Sequence, residues 1–140
     1  MDKIQDVAQL AVRMSTSTYR NILRTLYREE ALTHDELYSI VKERALEERI
    51  ERIPRKINSH KKTIDVLVRA GLITDKESSL KKLEEYLRKE AEMTSLKPES
   101  FDFMIKLTEE DDLVEENNGV YTLAKRGNKF MEKYEIEIRK

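Results

Sequence analysis

Pro54, Pro98, Gly71, Gly119 and Gly127 are the only prolines and glycines in this 140-residue chain. A β-rich fold needs a turn residue every few positions. Five breakers cannot supply them, so the expected fold class is mainly α with room for a small β-hairpin. Charged residues make up 39% of the chain and hydrophobic residues another 39%. The helices must therefore be amphipathic, one face in a modest core and the other in water.

Apolar spacing places the elements. Ile4, Val7, Ala8, Ala11 and Met14 predict a helix over 3–14 with these residues inward. "STST" at 15–18 offers N-caps to a second helix carrying Tyr19, Ile22, Leu23 and Leu26. Thr33 and Glu36 form a capping box, so a third helix starts near His34, with Leu37, Ile40 and Val41 inward. Leu46, Ile50 and Ile53 fall on another side. This helix either packs against two neighbours or breaks near Ala45, and Pro54 ends it. A fourth helix turns Ile57, Ile64, Leu67 and Val68 to one face, stops at Gly71 and continues into the core through Leu72 and Ile73. Thr74 and Glu77 open a long helix to about Met93, with Leu80, Leu83, Leu87 and Ala91 along its stripe. Pro98 suits the first position of the next helix, which faces Phe101, Met104 and Ile105 inward. Then the period changes: "LVEENNGVYTL" reads as strand, turn and strand, before a last helix, "KRGNKFMEKYEIEIRK".

Charge is distributed unevenly. The whole chain carries a formal net charge of -1, yet Arg52–Arg69 holds six Lys or Arg residues and one acid, Asp65. On a helical wheel, Arg55, Ser59, Lys62, Val66 and Arg69 stand opposite the apolar stripe of this segment, and Asn58, Lys61 and Thr63 flank them. His60 falls on the buried flank, where packing or capping is its expected role; His34 is first-turn surface. From Glu84 to Glu116 there are twelve acids against four bases, which reads as a solvated acidic face or a protein-binding surface. The last segment is basic again at Lys125, Arg126, Lys129 and Lys133.

Several function classes have no residues to carry them. With no Cys, disulfides, thiolate metal sites and Cys nucleophiles are excluded. Two His far apart make a poor metal site. There is no Gly-rich phosphate loop, HExxH or GxSxG, so neither an enzyme nor a cofactor is expected. No stretch approaches the ~18 uninterrupted apolar residues of a membrane span, which predicts a soluble, cytoplasmic protein.

The element order, with Leu113, Val114, Gly119, Tyr121, Leu123, Gly127 and Phe130 in the "GLV…(G)xYxLTxxGxxF" pattern, resembles winged helix-turn-helix DNA-binding proteins of archaea and their viruses. Ala124 departs from it, since the family usually has a helix-capping Thr there. The N-terminal half, "TYRNILRTLYREEALTHDELYSIV" followed by "INSHKKTIDVLVRAGLI", is similar to the three helices of the same family. It departs at Ala45–Asn58, where the family has a short turn.

The resemblance implies a winged helix-turn-helix, composite or tandem. Residues 1–75 would form a helix-turn-helix region with the basic helix, and 76–140 a winged-helix-like region with the hairpin. It implies a transcriptional regulator that reads double-stranded DNA through the helix near 57–70. Arg55, Lys61, Lys62 and Arg69 would meet phosphates or guanine, Asn58, Ser59 and Thr63 would make polar contacts, and Val66 would meet a thymine methyl. Lys125, Arg126 and Lys129 would grip the backbone beside the wing. The helix over 3–14 either pairs with a second copy, giving a homodimer, or caps its own core. Two alternatives stay open. The basic segment can be an ordinary surface helix whose cations offset acidic neighbours. The chain can also be a winged-helix adaptor in a transcription, replication or membrane-remodelling assembly, with a protein partner at 84–116. That reading requires acids such as Glu47, Glu48 or Asp65 to neutralise the basic face.

Overall fold

The computed structural model describes the backbone of residues 3–139 and the side chains of residues 7–139. The elements run α1 (Lys3–Met14), α2 (Ser17–Glu29), β1 (Ala31–Thr33), α3 (His34–Glu51), α4 (Ile53–Arg69), α5 (Lys76–Met93), α6 (Pro98–Glu110), β2 (Val114–Asn117), β3 (Val120–Leu123) and α7 (Lys125–Ile138). The chain is mainly helical with a small three-stranded antiparallel sheet. No helix among the described residues is long and apolar enough to cross a membrane. The chain divides into two units, one formed by Met1–Ala45 with Leu96–Lys140 and the other by Leu46–Ser95.

The first unit joins the two ends of the sequence. Its sheet has the order β1-β3-β2. β2 and β3 form the expected hairpin, with Asn117 opposite Val120. The two residues between them, Asn118 and Gly119, take φ values of 52 and 80 degrees. A two-residue turn between right-twisted strands needs this left-handed pair, which Asn-Gly adopts at little cost. The sequence reading missed β1, which pairs antiparallel with β3 and sets Leu32 opposite Tyr121. The strand leads directly into the capping box: Thr33 N donates to Glu36 Oε1 at 3.0 Å, and Glu36 N donates to Thr33 Oγ1 at 3.3 Å.

Helix α2 packs against α6 and α7. Tyr19, Ile22 and Leu23 of α2, Leu37 and Val41 of α3, Phe101 and Ile105 of α6 and Met131 of α7 make one core with Leu113. The separation expected at residue 75/76 therefore does not match these units. A strand at 31–33 and a helix at 17–29 find their partners at 120–123 and 98–110. Helix α6 packs on α2, whereas α4, expected as the third helix of the N-terminal half, packs on α5.

Helix α1 is present over the expected residues and buries Met14 as expected, with the rest of its inward face rotated. It meets the core through Leu10 and Met14. Val7 is 65% exposed, and Ala8 and Ala11 are also exposed. The side chain of Ile4 lies outside the described residues. Leu removes more apolar area from water than Val or Ala does, so Leu10 joins Met14 at the core.

The second unit is a helical hairpin, α4 with α5, joined by the last residues of α3. α3 ends at Glu51, and Pro54 sits in the first turn of α4 rather than ending the preceding helix. The ring suits that place because the N–H it lacks would have no intrahelical partner there. α4 stops as expected: Gly71, at φ 75 degrees, allows Gly71 N to reach Val68 O at 3.0 Å and Leu72 N to reach Leu67 O at 3.0 Å. This is the paired closure of a Schellman motif. The chain then turns outward, so Leu72 is 74% exposed instead of entering the core, while Ile73 is half-buried. α5 begins one residue later than its expected capping box. Asp75 is the cap and accepts from Ser78 N at 3.2 Å. The hairpin buries a narrow seam: Ile53, Ile64, Leu87 and Ala91 are buried, and Ile57, Leu67, Val68, Leu80 and Leu83 are half-buried.

One glycine fixes how the last helix meets the sheet. Gly127 lies against the Leu113 backbone, and an added Cβ would overlap the Leu113 carbonyl oxygen, which accepts from Ala124 N at 2.9 Å. Gly127→Ala should therefore force α7 away from this contact and cost ~1–3 kcal/mol, as overpacking does in cores. Urea denaturation of the two proteins checks this. An unchanged midpoint would mean that α7 shifts at no cost.

Candidate nucleic-acid interface

The basic segment is built on α4. Its apolar side, centred on buried Ile53 and Ile64, faces α5, and its opposite side faces water. Arg55, Lys62 and Arg69 recur every seven residues on that outer side and are all exposed. At 1.5 Å per residue they span about 21 Å of helix. Ser59 and Val66 share the face, with Val66 59% exposed. Asn58, Lys61 and Thr63 are exposed on its flanks. All eight residues singled out on this segment are thus brought together on one helix. Ser59 Oγ already donates to Lys56 O at 2.7 Å, so it offers an oxygen rather than a free donor.

The one acid of this segment is occupied. Asp65 Oδ1 accepts from Lys76 Nζ of α5 at 2.6 Å. That hydrogen bond holds the Asp65 carboxyl below its ordinary range, with further help from the charges of Lys76, Arg69 and Lys61. Among the described residues no salt bridge engages Arg55, Lys61, Lys62 or Arg69. The pairing expected if Asp65 were to neutralise the outer row is therefore made instead with a cation of the neighbouring helix.

Lys125, Arg126 and Lys129 are exposed on the first turns of α7, in the first unit. Arg126 acts electrostatically on the Tyr19 phenol, so part of its role is internal to that unit. Ala124 precedes this helix with no side-chain cap. His60, expected on the buried flank of α4, is exposed. It borders an apolar notch between α4 and α5 that includes Ile64, Ile73 and Leu83. The narrow seam explains the difference, since only the positions nearest α5 are covered.

The acidic stretch is not uniform surface. Asp111, at the end of α6, is only 8% exposed in its side chain and ties three elements together. Tyr19 donates to it at 2.7 Å, Gln9 at 3.0 Å, and Arg13 Nε lies 3.0 Å away. A buried carboxylate needs such partners. Burial first, then the Asp111 contact, pushes the Tyr19 phenol far above its ordinary value. On the outside of α6, Glu99, Asp102 and Glu110 surround Lys106 and Phe103. Sequence reasoning also passed over an exposed row on α5, Lys82, Tyr86 and Lys89, whose signal was there in the i, i+4, i+7 spacing.

Comparison with known protein families, with characterised proteins and with solved structures finds no match to this chain.

His34 is more than first-turn surface. Its Nε2 lies 2.6 Å from Asp102 Oδ1, and its ring meets Phe101 edge-on with centroids 5.3 Å apart. The Asp102 hydrogen bond, assisted by Asp35, raises the His34 pKa above its ordinary value against a smaller opposing effect of burial. Stability from this contact is complete below the unfolded value, where both states are protonated, and is lost as pH rises through the raised folded value. The two side chains are 42% and 54% exposed, so solvent screening limits the contribution to less than ~1 kcal/mol. Thermal melts across this range should show Asp102→Asn losing stability relative to the parent at acidic pH, with the gap narrowing as pH rises. A gap independent of pH would remove His34 from the explanation.

Proposed function

We propose that the chain binds duplex DNA through the outer face of α4, in the manner of a transcriptional regulator. One observation carries this reading: Arg55, Lys62 and Arg69 form an exposed row that no salt bridge among the described residues engages, while the only acid of that helix, Asp65, is held by Lys76. Such a row neutralises phosphates and releases their counterions, and long-range attraction speeds encounter. Asn58, Ser59, Thr63 and Val66 supply the polar and apolar groups that read base edges.

We further propose that the first unit is a winged helix. The order α2, β1, α3, α6, β2, β3 and the sheet order β1-β3-β2 support it. In this reading α2, α3 and α6 are its three helices, β2–β3 is the wing, and α4–α5 is an insertion between the second and third helices. α6, rather than α4, then holds the position of a recognition helix. The outer side of α6 is acidic, which repels phosphate, so DNA contact passes to the inserted hairpin. The exposed Val7, Ala8 and Ala11 of α1 support pairing with a second copy. A second reading, an adaptor that binds protein through α6, draws on Phe103, which is 59% exposed among those acids.

Lys62→Ala with Arg69→Ala tests the first reading by titration of random-sequence duplex DNA across salt concentrations. The double variant should bind more weakly, and its logarithmic salt slope should fall by about two. Unchanged affinity with an unchanged slope would remove α4 from the interface. No binding by the parent even at low salt would favour the adaptor.

A further inference from the structure

We infer that the α4–α5 hairpin carries a second nucleic-acid face, on α5, that takes single-stranded DNA. The row is Lys82, Tyr86 and Lys89. All three are exposed, and Tyr86 is 64% exposed. Their spacing puts the phenol ring between two ammonium groups that stand about 10 Å apart along the helix. Glu85 and Glu90 lie to either side of the row, not in it.

The neighbouring helix extends the face. Lys82 lines the same notch as His60 of α4, above a floor that includes Ile64, Ile73 and Leu83. The opposite flank of α5 has a different character. There Glu84 pairs with Arg88 at 3.8 Å, so its charge is balanced. The Lys82 side thus brings together two lysines that no salt bridge among the described residues engages, an exposed ring and an apolar notch.

This combination fits a single strand better than a duplex. Bases in a duplex are stacked on one another, and their faces are closed to a side chain. An unpaired strand offers each base face to an aromatic ring while its backbone follows nearby cations. Tyr86 would stack on one base, Lys82 and Lys89 would neutralise the phosphates on either side, and the notch would receive an adjacent base against His60. The inference uses none of the residues of the Arg55, Lys62 and Arg69 row and does not depend on that row binding duplex.

The test is fluorescence anisotropy of a labelled oligothymidylate with the full chain, beside a labelled random-sequence duplex. Tyr86→Ala should weaken oligothymidylate binding by about five- to hundred-fold, the range set by losing one base stack. Tyr86→Phe, which keeps the ring, should bind like the parent. Lys82→Ala with Lys89→Ala should weaken binding and flatten its salt dependence. None of these changes should alter duplex affinity, and Lys62→Ala with Arg69→Ala should leave oligothymidylate binding unchanged. The inference fails if the parent does not bind oligothymidylate at low salt. It fails also if Tyr86→Ala matches the parent, or if Tyr86→Ala weakens duplex and oligothymidylate equally. The Tyr86→Phe and double-lysine variants decide the matter even if Tyr86→Ala lowers stability. Loss of duplex binding alone in the Lys62 and Arg69 variant leaves this face standing, so the two readings fail separately.

Discussion

The three-residue pairing of β1 with β3 is the constraint on which the first unit depends. Ala31, Leu32 and Thr33 lie opposite Thr122, Tyr121 and Val120. This short ladder closes a loop that contains α3 to α6 and the first strand of the hairpin. Closing a loop costs entropy that grows only as the logarithm of its length. A long excursion such as α4–α5 is therefore tolerated once the ladder and the core around Leu32, Leu37 and Phe101 hold the two ends. The pairing also makes β3 the central strand and leaves β2 at an edge. Glu115 and Glu116 on that edge discourage a further strand from adding to it.

A second constraint sits where α6 turns into β2. Asp111 gathers Tyr19 of α2 with Gln9 and Arg13 of α1, while Leu113 N returns to Thr108 O at 3.0 Å. Asp112 takes a left-handed φ of 60 degrees to make this turn. The Leu113 carbonyl then anchors Ala124, and Gly127 leaves it room. Helix, strand and last helix thus meet within a few residues. A single carboxylate there serves as an internal tie for α1, although composition alone counts it with the surface acids.

What the sequence disclosed depended on whether a signal was local. The Thr33–Glu36 box, the Asn118–Gly119 turn and the Gly71 stop each follow from a few adjacent residues, and each forms as expected. β1 was hidden because three residues are too few to display alternation, and its partner lies far along the chain. The α1 face was misjudged because two stripes coexist on one helix. Val7, Ala8 and Ala11 lie on one and Leu10 on the other, both run into Met14, and only tertiary packing chooses between them. The outer row of α4 was legible from the wheel. The role of Lys76 as partner of Asp65 was not, since it required knowing that α5 lies beside α4. The same knowledge moves the third helix of the core from α4 to α6.

The electrostatics follow from how little the second unit buries. A globular helix bundle would cover α4 and α5 on several sides and bring acids onto their cations. Here one seam of Ile53, Ile64, Leu87 and Ala91 holds the pair, so both helices keep broad wet faces. Lys and Arg on such faces retain their hydration and rotamer freedom. α6 has the opposite arrangement. Asp102 is already committed to His34, and Phe101 and Ile105 are committed to the core. A helix fixed by its neighbours and bordered by acids is suited to hold a fold together, whereas the sparsely packed hairpin keeps its cations on open faces.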